Sequence, residues 1–379
     1  MSEWKECTLG DYAKVLGGYA FKSGDFGASG DFPVIKIKNV ASGLLDMAGC
    51  QFISSDVANN AVRFRAKRGD ILIAMTGSHI HQPSSMVGKV TRYSTDEIAY
   101  INQRVGKVYS MNSDELDEDF LFYFLKWDET TYGLALSAGG SANQANISAG
   151  QIEGLQILLP SVDEQRLVSE VLLSIDDKIT LLSNQNATLE ALAKTHYQQW
   201  FVIDAAEPNG TLGEILVENE KSKIQVGEAR NQSGDYPFFT SGVAILRYKD
   251  FLVDGRNIYL NTGGVADVKY LIGKAAYSTD TWSINADIFT DYVYMLLSGM
   301  VEEINNNYFM GTALQHLQKP KMRAMPIYIP SDEEILEFND IVCPLFDKRE
   351  SNKRQIYTLQ KLRDTLLPKL ISGEVRVKQ

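Results

Sequence analysis

The chain contains two copies of one long segment, and this internal repeat constrains the fold more than any other feature. The first copy begins at Leu159-Pro160-Ser161 and the second at Ile329-Pro330-Ser331. Charged and apolar residues then recur in the same phase; Leu192, for example, corresponds to Leu362. A chain built from such a repeat is expected to fold as two related halves.

Each copy of the repeat carries apolar side chains at alternating spacings of four and three residues, which is typical of a coiled-coil seam. The first seam consists of Val168, Leu172, Ile175, Ile179, Leu182, Leu189 and Ala193, interrupted by Asn186. The second seam consists of Phe338, Val342, Leu345, Ile356, Leu359 and Leu366, with Arg349, Asn352 and Arg363 as exceptions. The first pattern predicts one helix from about Asp163 to Trp200, about 55 Å long. Because neither helix can bury its seam alone, we expect antiparallel packing; the alternative is two independent amphipathic helices.

The segments in front of the two helices also share short motifs in the same order. The matches are Leu9-Gly10-Asp11 with Leu212-Gly213-Glu214, Asp31-Phe32-Pro33 with Asp235-Tyr236-Pro237, Gly69-Asp70-Ile71-Leu72 with Asn257-Ile258-Tyr259-Leu260, and Gly88-Lys89-Val90 with Gly273-Lys274-Ala275. Short β-branched and aromatic runs between Gly, Asp, Asn and Ser predict strands joined by turns. We therefore predict an α+β fold with a mainly β domain at 1–158, a helix at 159–204, a second β domain at 205–328, and a second helix with a tail at 329–379.

The overall charge limits how the chain could bind nucleic acid. The 379 residues include 37 Lys and Arg against 48 Asp and Glu, a net charge of −11. This excludes a protein that coats nucleic acid through its total charge, so any such site must be local. The odd number of cysteines (Cys7, Cys50 and Cys343) indicates a reducing compartment. Without a secretory start or a spanning apolar run, we expect a cytoplasmic protein that does not enter a membrane.

Motifs for catalysis or cofactor binding are missing from the sequence. It has no HExxH, CxxC, phosphate-binding glycine loop or Asn-Pro-Pro-aromatic tetrapeptide. His79 and His81 could lie on one face of a strand and bind a metal, but a polar loop explains them better. We expect neither a cofactor nor a metal, and no catalysis by this chain alone.

Basic and amide side chains cluster locally within the β domains and suit phosphates and base edges. In the first domain the candidates for DNA contact are Lys36, Lys38, Asn39, Arg63, Arg65, Lys67, Arg68, His79, His81, Lys89, Asn102, Gln103 and Arg104. In the second domain they are Thr240, Ser241, Lys269 and Lys274. The alternative for each cluster is an ordinary solvated face.

Four short motifs accompany the layout of domain, long helix, domain and long helix: Leu159-Pro160 with Glu164-Gln165, Gly69-Asp70-Ile71-Leu72, Asn146-Ile147-Ser148, and the tail Leu367-Pro368-Lys369-Leu370-Ile371-Ser372-Gly373-Glu374-Val375. With these motifs the layout resembles the specificity subunit of type I restriction-modification systems. One departure is that the second domain has Leu314-Gln315-His316-Leu317 where the first has Gln144-Ala145-Asn146-Ile147. Base contacts of the second domain therefore cannot be inferred from the first.

The resemblance implies a non-catalytic subunit that binds double-stranded DNA with two target recognition domains. Its helices would act as spacers that bind two methyltransferase subunits and, through them, restriction subunits. The candidates for partner contact are Gln165, Tyr197, Trp200, Leu367, Lys369 and Leu370. Two non-identical domains on one helical pair predict a bipartite, asymmetric target with half-site centres about one turn of DNA apart, near 34–36 Å. A lengthened helix pair should then lengthen only the unread spacer.

Two other classes of function stay open at the level of sequence. An interaction scaffold without DNA binding would explain the acidity and the coiled coil, but not the paired basic and amide-rich domains. A nuclease that uses Asp70 and neighbouring carboxylates with Mg²⁺ is the other. Binding of random duplex DNA separates the first reading from the scaffold, and metal-dependent cleavage would support the nuclease.

Overall fold

The computed structural model describes residues 4–82, 85–141, 144–203, 207–311 and 315–377. The chain forms two compact units, which we call unit 1 (Met1–Lys178 with Leu359–Gln379) and unit 2 (Ile179–Thr358). Both long helices therefore contribute to both units. The division into four segments drawn from the sequence (1–158, 159–204, 205–328 and 329–379) stays a prediction.

Unit 1 is rich in short strands joined by turns. Its strands are β1 (Lys5–Thr8), β2 (Ala13–Gly17), β3 (Phe32–Ile35), β4 (Gln51–Ile53), β5 (Arg65–Ala66), β6 (Ile71–Ala74), β7 (Thr76–Gly77), β8 (Val90–Arg92), β9 (Ala99–Ile101), β10 (Val105–Ser110), β11 (Gly139–Ser141), β12 (Gln144–Asn146) and β13 (Gln156–Leu159). Its shorter helices are α1 (Ser55–Asn59), α2 (Glu118–Lys126), α3 (Asp128–Ser137) and α4 (Ala149–Glu153), and the long helix α5 (Val162–Phe201) begins here.

Two four-stranded sheets organise unit 1. One has the order β2-β10-β6-β8 and is antiparallel; the other has the order β4-β3-β9-β5, with β3 and β9 parallel. Helix α2 is apolar on most of its surface, because Phe120 to Leu125 are all buried, and it packs against β8 and β10. The same core includes Val168 and Leu172 of α5. The start of the long helix is thus part of the core of unit 1.

Unit 2 repeats this arrangement with fewer strands. After α5, its elements are β14 (Gly210–Thr211), α6 (Leu212–Ile215), β15 (Val217–Glu218), α7 (Val226–Arg230), β16 (Tyr236–Phe239), β17 (Ile245–Tyr248), β18 (Arg256–Asn261), β19 (Val268–Ile272), β20 (Ala276–Tyr277), β21 (Thr281–Asn285), α8 (Thr290–Gly299), α9 (Val301–Tyr308), β22 (Phe309–Met310), β23 (His316–Leu317), α10 (Lys319–Arg323), β24 (Pro326–Ile327) and α11 (Asp332–Ile371). The sheet β15-β21-β18-β19 corresponds to β2-β10-β6-β8, and β17-β16-β20 corresponds to β4-β3-β9. In both units one pair of the second sheet is parallel: β3 with β9 in unit 1, and β16 with β20 in unit 2.

One of the matched motifs is not structurally equivalent in the two units. Strands β8 and β19 occupy the same place, because Val90 pairs with Ile73 and Val268 pairs with Leu260. Lys89 precedes β8, whereas Lys274 follows β19. The shared Gly-Lys dipeptide is therefore a coincidence of sequence.

The Pro-Ser motif at the start of each repeat copy is a helix N-terminus. The Glu164 N–H donates to Ser161 Oγ (3.4 Å), and the Glu334 N–H donates to Ser331 Oγ (3.3 Å). A serine cap with glutamate three residues later satisfies the first free backbone donors of a helix. The predicted long helices are confirmed, with the first extending from Val162 to Phe201.

The predicted seams are confirmed, since every apolar seam residue is buried or half-buried. Their polar exceptions contact one another. Within unit 2, Asn352 Nδ2 donates to Gln185 Oε1 (2.8 Å) and Asn186 Oδ1 (2.9 Å), while Arg349 lies 3.4 Å from Glu190. Going from the first contact to the second, the residue number falls on α11 (352 to 349) and rises on α5 (186 to 190), so the two helices are antiparallel within unit 2. Buried asparagines of this kind fix the register of a helix pair.

None of the helices in the described ranges combines the length and the apolar character needed to cross a membrane.

Candidate nucleic-acid interface

Three strands of unit 1 (β3, β6 and β9) end at one edge, and a polar residue lies within two positions of each end. The Asn102 N–H donates to the Ile35 carbonyl (3.0 Å), which joins the end of β9 to the end of β3. The Met75 N–H donates to the Arg104 carbonyl (3.0 Å), and the Ile147 N–H donates to the Met75 carbonyl (3.0 Å). We call this region the turn edge of unit 1, defined as Lys36, Met75–Gly77, Asn102–Arg104 and Asn146.

Asn102 anchors the turn between β9 and β10. Its backbone pairs with Tyr19, and a Cβ on Gly18 would lie 2.2 Å from the Asn102 carbonyl oxygen, so this close approach requires glycine. The Asn102 side-chain oxygen is buried without a hydrogen-bond partner among the described residues. Gln103 and Arg104 are exposed, and their side chains have no polar partner in the described ranges. These two side chains are free to contact bases or phosphates.

The basic run Arg63–Arg68 does not form one cluster. Arg65 pairs across β5 and β9 with Tyr100 and donates from Nε to its hydroxyl (2.8 Å). Arg68 forms an ion pair with Asp96 (2.9 Å). Arg63 and Lys67 are exposed, and their charged groups have no partner within the part of the chain that the structure describes. Only these two are fully available as phosphate contacts.

The residues after β3 have different environments. Lys36 Nζ donates to Gln51 and lies 3.5 Å from the centroid of the Phe26 ring; burial, and then neighbouring Lys38, lower the pKa of Lys36. Lys38 is exposed and donates to the Gly49 carbonyl (2.7 Å). Asn39 is 1% exposed, and its side chain binds the Lys36 N–H and the Asp46 carbonyl. Asn39 is therefore a structural residue, and its side chain is not available to contact a base.

The histidine pair lies in a turn rather than on a strand. His79 and His81 follow β7, and His81 is exposed. Lys89 is half-buried and lies 3.8 Å from Asp128. Within the described ranges, no group of three or more His, Cys, Asp or Glu side chains could hold a metal ion.

Asp70 already has partners within unit 1. It accepts from the Lys67 N–H (2.9 Å) and forms an ion pair with Lys107 (3.2 Å), with both side chains less than a fifth exposed. The carboxylate thus stabilises the turn before β6, and this geometry gives no support to a nuclease centred on Asp70.

Unit 2 has an edge of the same construction. Its residues are Thr240, Ser241, Thr262–Gly264, Ser278–Asp280 and His316, and we call it the turn edge of unit 2. Thr240 is buried and donates to the Ala244 carbonyl (2.7 Å), so it shapes the loop after β16. Ser241 is half-buried. His316 is placed like Asn146, as the sequence comparison predicted, while Leu314 lies outside the described residues.

The two lysines predicted to contact DNA in unit 2 are not at the tips of this edge. Lys269 is 10% exposed and pairs with Asp267 (2.6 Å). Lys274 is exposed and lies 4.5 Å from the centroid of the Phe251 ring, beyond the far end of β19. Neither position supports a base contact.

Most of the predicted partner-binding residues stabilise the chain itself. Gln165 is fully buried; it accepts from the Asp117 N–H (2.8 Å) and donates to the Glu115 and Pro160 carbonyls. Its amide therefore joins α5 to the loop before α2. Nothing of Gln165 is accessible to a second protein.

The remaining partner candidates are mainly core residues. Leu367 and Leu370 belong to the core of unit 1, and Tyr197 belongs to the core of unit 2. Trp200 is half-buried, with its ring centroid 6.2 Å from that of Phe338. Lys369 is half-buried, 3.6 Å from Glu374. Only Trp200 and Lys369 present part of their surface to solvent.

Sequence reasoning missed an exposed apolar pair on the outer faces of the helices. Leu192 and Leu362, which correspond in the repeat, are 43% and 45% exposed. The signal was present, because both lie outside the seams at matched positions. Leu181 is also exposed, at 60%, but its repeat counterpart is Ser351.

Comparison with known proteins agrees with this architecture. Residues 1–191 and 209–361 match the type I restriction modification DNA specificity domain family. The chain is 26% identical over 310 residues to the MjaIX specificity subunit of Methanocaldococcus jannaschii, covering 70% of this chain and 71% of that protein. It is 26% identical over 208 residues to the HindI specificity subunit of Haemophilus influenzae, covering 53% of this chain and 41% of that protein.

A solved structure shows the same fold. The S subunit of the type I restriction-modification system from M. genitalium aligns with a TM-score of 0.62 and 17% identity, over 97% of this chain and 96% of that one. Fold and turn edges together define a protein with two related β-rich units on shared long helices. Because the family match covers most of the sequence, the chain belongs to the DNA specificity family of type I restriction-modification systems. The resemblance found in the sequence is thereby confirmed.

Proposed function

We propose that this chain recognises a bipartite, asymmetric DNA target, with each half-site contacted by the turn edge of one unit. The observation that carries the proposal is the repeated turn edge: corresponding backbone hydrogen bonds hold it in both units, but its exposed side chains differ. Two turns with the same backbone hydrogen bonds and different side chains suit the recognition of two different short sequences. The chain would contribute recognition but not catalysis, and it would need no cofactor of its own.

The proposal requires phosphate contacts despite the net charge of −11. Arg63 and Lys67 are the exposed cations of the basic run whose charges are not already paired with described residues. Each phosphate contact releases condensed counterions, which makes DNA affinity depend on salt. Local cations can therefore bind DNA although the whole chain is acidic.

Changing Arg63→Ala and Lys67→Ala together should weaken binding to any duplex and reduce the slope of log affinity against log salt by about 2. The measurement is binding of the full chain to a random-sequence duplex across a salt series. A matched control is Lys178→Ala with Lys194→Ala, which removes two exposed charges from α5 and should leave the slope unchanged. An unchanged slope in the first variant would show that Arg63 and Lys67 do not contact phosphates.

The long helices provide the surface for the methyltransferase subunits. Leu192 and Leu362 occupy matched positions and have nearly equal exposure, as expected if two copies of one partner bind the two repeat copies. Single exposed leucines are common on protein surfaces, so it is their matched positions that support the proposal, because two copies of one partner would contact them alike. Restriction subunits would join through these methyltransferases.

Leu192→Asp or Leu362→Asp alone should lower the number of bound methyltransferase subunits from two to one, and the double variant should bind none. A buried carboxylate without a partner is costly enough to remove such a contact. The measurement is the mass of the complex reconstituted with excess methyltransferase. Leu181→Asp, at an exposed position without a repeated leucine, is the control that should keep two. Two subunits on every variant would contradict this surface, and one subunit on the wild type would contradict the stoichiometry.

An interaction scaffold without DNA binding is the second candidate, and the same duplex assay tests it. Absence of duplex binding by the full chain, with and without methyltransferase, would favour the scaffold. The three cysteines are unpaired, which supports the proposal of a cytoplasmic location.

A further inference from the structure

The turn between β9 and β10 in unit 1 is held by three backbone hydrogen bonds. The Asn102 N–H donates to the Ile35 carbonyl (3.0 Å), and the Val105 N–H donates to the Asn102 carbonyl (2.8 Å). The Met75 N–H donates to the Arg104 carbonyl (3.0 Å). These bonds fix the position of residue 104 relative to the ends of β3 and β6.

The turn between β20 and β21 in unit 2 is held by the same three bonds. The Ser278 N–H donates to the Phe239 carbonyl (2.9 Å), and the Thr281 N–H donates to the Ser278 carbonyl (3.1 Å). The Thr262 N–H donates to the Asp280 carbonyl (3.0 Å). Asp280 therefore occupies in unit 2 the place that Arg104 occupies in unit 1.

The side chains at this shared position have opposite charge and no structural task. Arg104 and Asp280 are both exposed, and neither has a side-chain partner within the described ranges. The residues that do hold the turns are more buried: Ser278 is fully buried and donates or accepts with Thr281 (2.9 Å). The backbone hydrogen bonds of the turn are thus the same in both units, whereas the residue at its tip differs.

A carboxylate at a DNA-binding edge restricts what that edge can face. Next to phosphates it would be repelled, because both groups are negative. Towards base edges it can accept a hydrogen bond from an exocyclic amine, above all cytosine N4 in the major groove. An arginine at the same position matches the two acceptors of guanine, O6 and N7.

We propose that Arg104 and Asp280 are paired specificity-determining residues, with Arg104 selecting guanine in one half-site and Asp280 selecting cytosine in the other. This inference rests on the proposed function, since it assumes that the turn edges face DNA. Because Arg104 and Asp280 occupy corresponding positions and carry opposite charges, the two half-sites would differ in sequence.

The test maps methylated sites in cells that make the full chain with its methyltransferase partner. Arg104→Ala should relax a guanine requirement at one position of one half-site. Asp280→Ala should relax one position of the other half-site, and Asp280→Asn should change that position from cytosine to adenine, because an amide pairs with adenine N6 and N7. Asp254→Asn, an exposed acid at the opposite end of β18, is the control and should leave the motif unchanged.

Duplex binding by the purified complexes gives a second readout that does not depend on methylation. On the mapped target, each alanine variant should lose about 10- to 100-fold in discrimination at its own position. On random DNA, Arg104→Ala should bind more weakly than the wild type, whereas Asp280→Ala should bind more tightly because a repelled charge is removed. If Arg104 and Asp280 had only structural roles, the two alanine variants would not change the affinity for random DNA in opposite directions.

The outcomes separate the two proposals. A wild-type complex that does not prefer its mapped target over random duplex contradicts the proposed function itself. A wild-type complex that does prefer it, with the same base preferences in all Arg104 and Asp280 variants, overturns this inference while leaving the proposed function in place. Relaxation at positions that are not guanine for Arg104 or cytosine for Asp280 also overturns the assignment.

Discussion

Phe338→Ala is expected to lower the free energy of unfolding by about 3–5 kcal/mol, the largest effect among the single substitutions considered. Phe338 lies on α11 and is fully buried. Its ring centroid is 5.1 Å from that of Phe201, which belongs to the end of α5, and both rings lie in the core of unit 2. Truncation removes this contact and leaves a cavity where the two long helices meet the β-rich part of the unit.

The measurement is urea unfolding of the full chain, followed by circular dichroism. Leu336→Ala is a matched control on the same helix, because Leu336 is 54% exposed and its truncation opens no cavity. The control should change the free energy of unfolding by less than about 1 kcal/mol. Equal effects of the two substitutions would contradict the packing described for Phe338.

Asp176→Asn is expected to cost about 2–3 kcal/mol of unfolding free energy and to change how stability depends on pH. Asp176 on α5 accepts from Tyr123 (3.0 Å), and it forms ion pairs with Lys126 (3.1 Å) and Arg363 (2.8 Å). Those partners lie on α2 and α11, so one carboxylate joins three helices of unit 1. Its side chain is 23% exposed, and an amide in its place would leave Lys126 without a counter-charge and Arg363 with Asp364 alone.

The pH dependence follows from the same contacts. Burial alone would raise the pKa of Asp176, but Lys126 and Arg363 overcome that effect and hold its pKa below the ordinary value of 3.8. A carboxyl with a lowered pKa in the folded state stabilises the fold above its unfolded pKa, and this contribution is lost as pH falls through the folded pKa. Wild-type stability should therefore drop as pH falls below about 4, and the Asn variant should lack that part of the drop.

Unfolding curves at pH 7 and at several values below 4.5 measure this difference. Asp177→Asn is the control, because this neighbouring carboxylate is exposed. Its replacement should change neither the stability at pH 7 nor the loss of stability at acid pH. If the Asp176→Asn variant lost as much stability at acid pH as the wild type, another carboxyl group would govern that loss.

The repeat, the two long helices and their seams could be predicted from the sequence alone. Helix caps and seam periodicity are local signals, because they depend on residues within one or two turns of each other. The buried seam residues therefore lie where the pattern placed them, and the motif that begins each repeat copy supplies the helix cap, Ser161 or Ser331. Even the interruptions were informative, since Asn186 and Asn352 are the polar residues that meet between the helices.

The composition of the candidate site was decided only by the tertiary structure. The sequence suggested equal roles for Lys36, Asn39 and Thr240, yet Asn39 and Thr240 are buried in loop hydrogen bonds, and Gln165 is buried between α5 and the loop before α2. Composition cannot distinguish a polar side chain that satisfies backbone groups inside the fold from one that faces solvent.

Only the tertiary structure, too, related Arg104 to Asp280. Their equivalence comes from backbone hydrogen bonds between strands far apart in sequence, such as Asn102 with Ile35 and Ser278 with Phe239. Every non-proline residue has the same backbone donor and acceptor, so two turns with no residue in common can have the same backbone hydrogen bonds. The sequence by itself thus determined the repeat and its helices through local periodicity, whereas long-range backbone pairing decided which side chains stand at each turn edge.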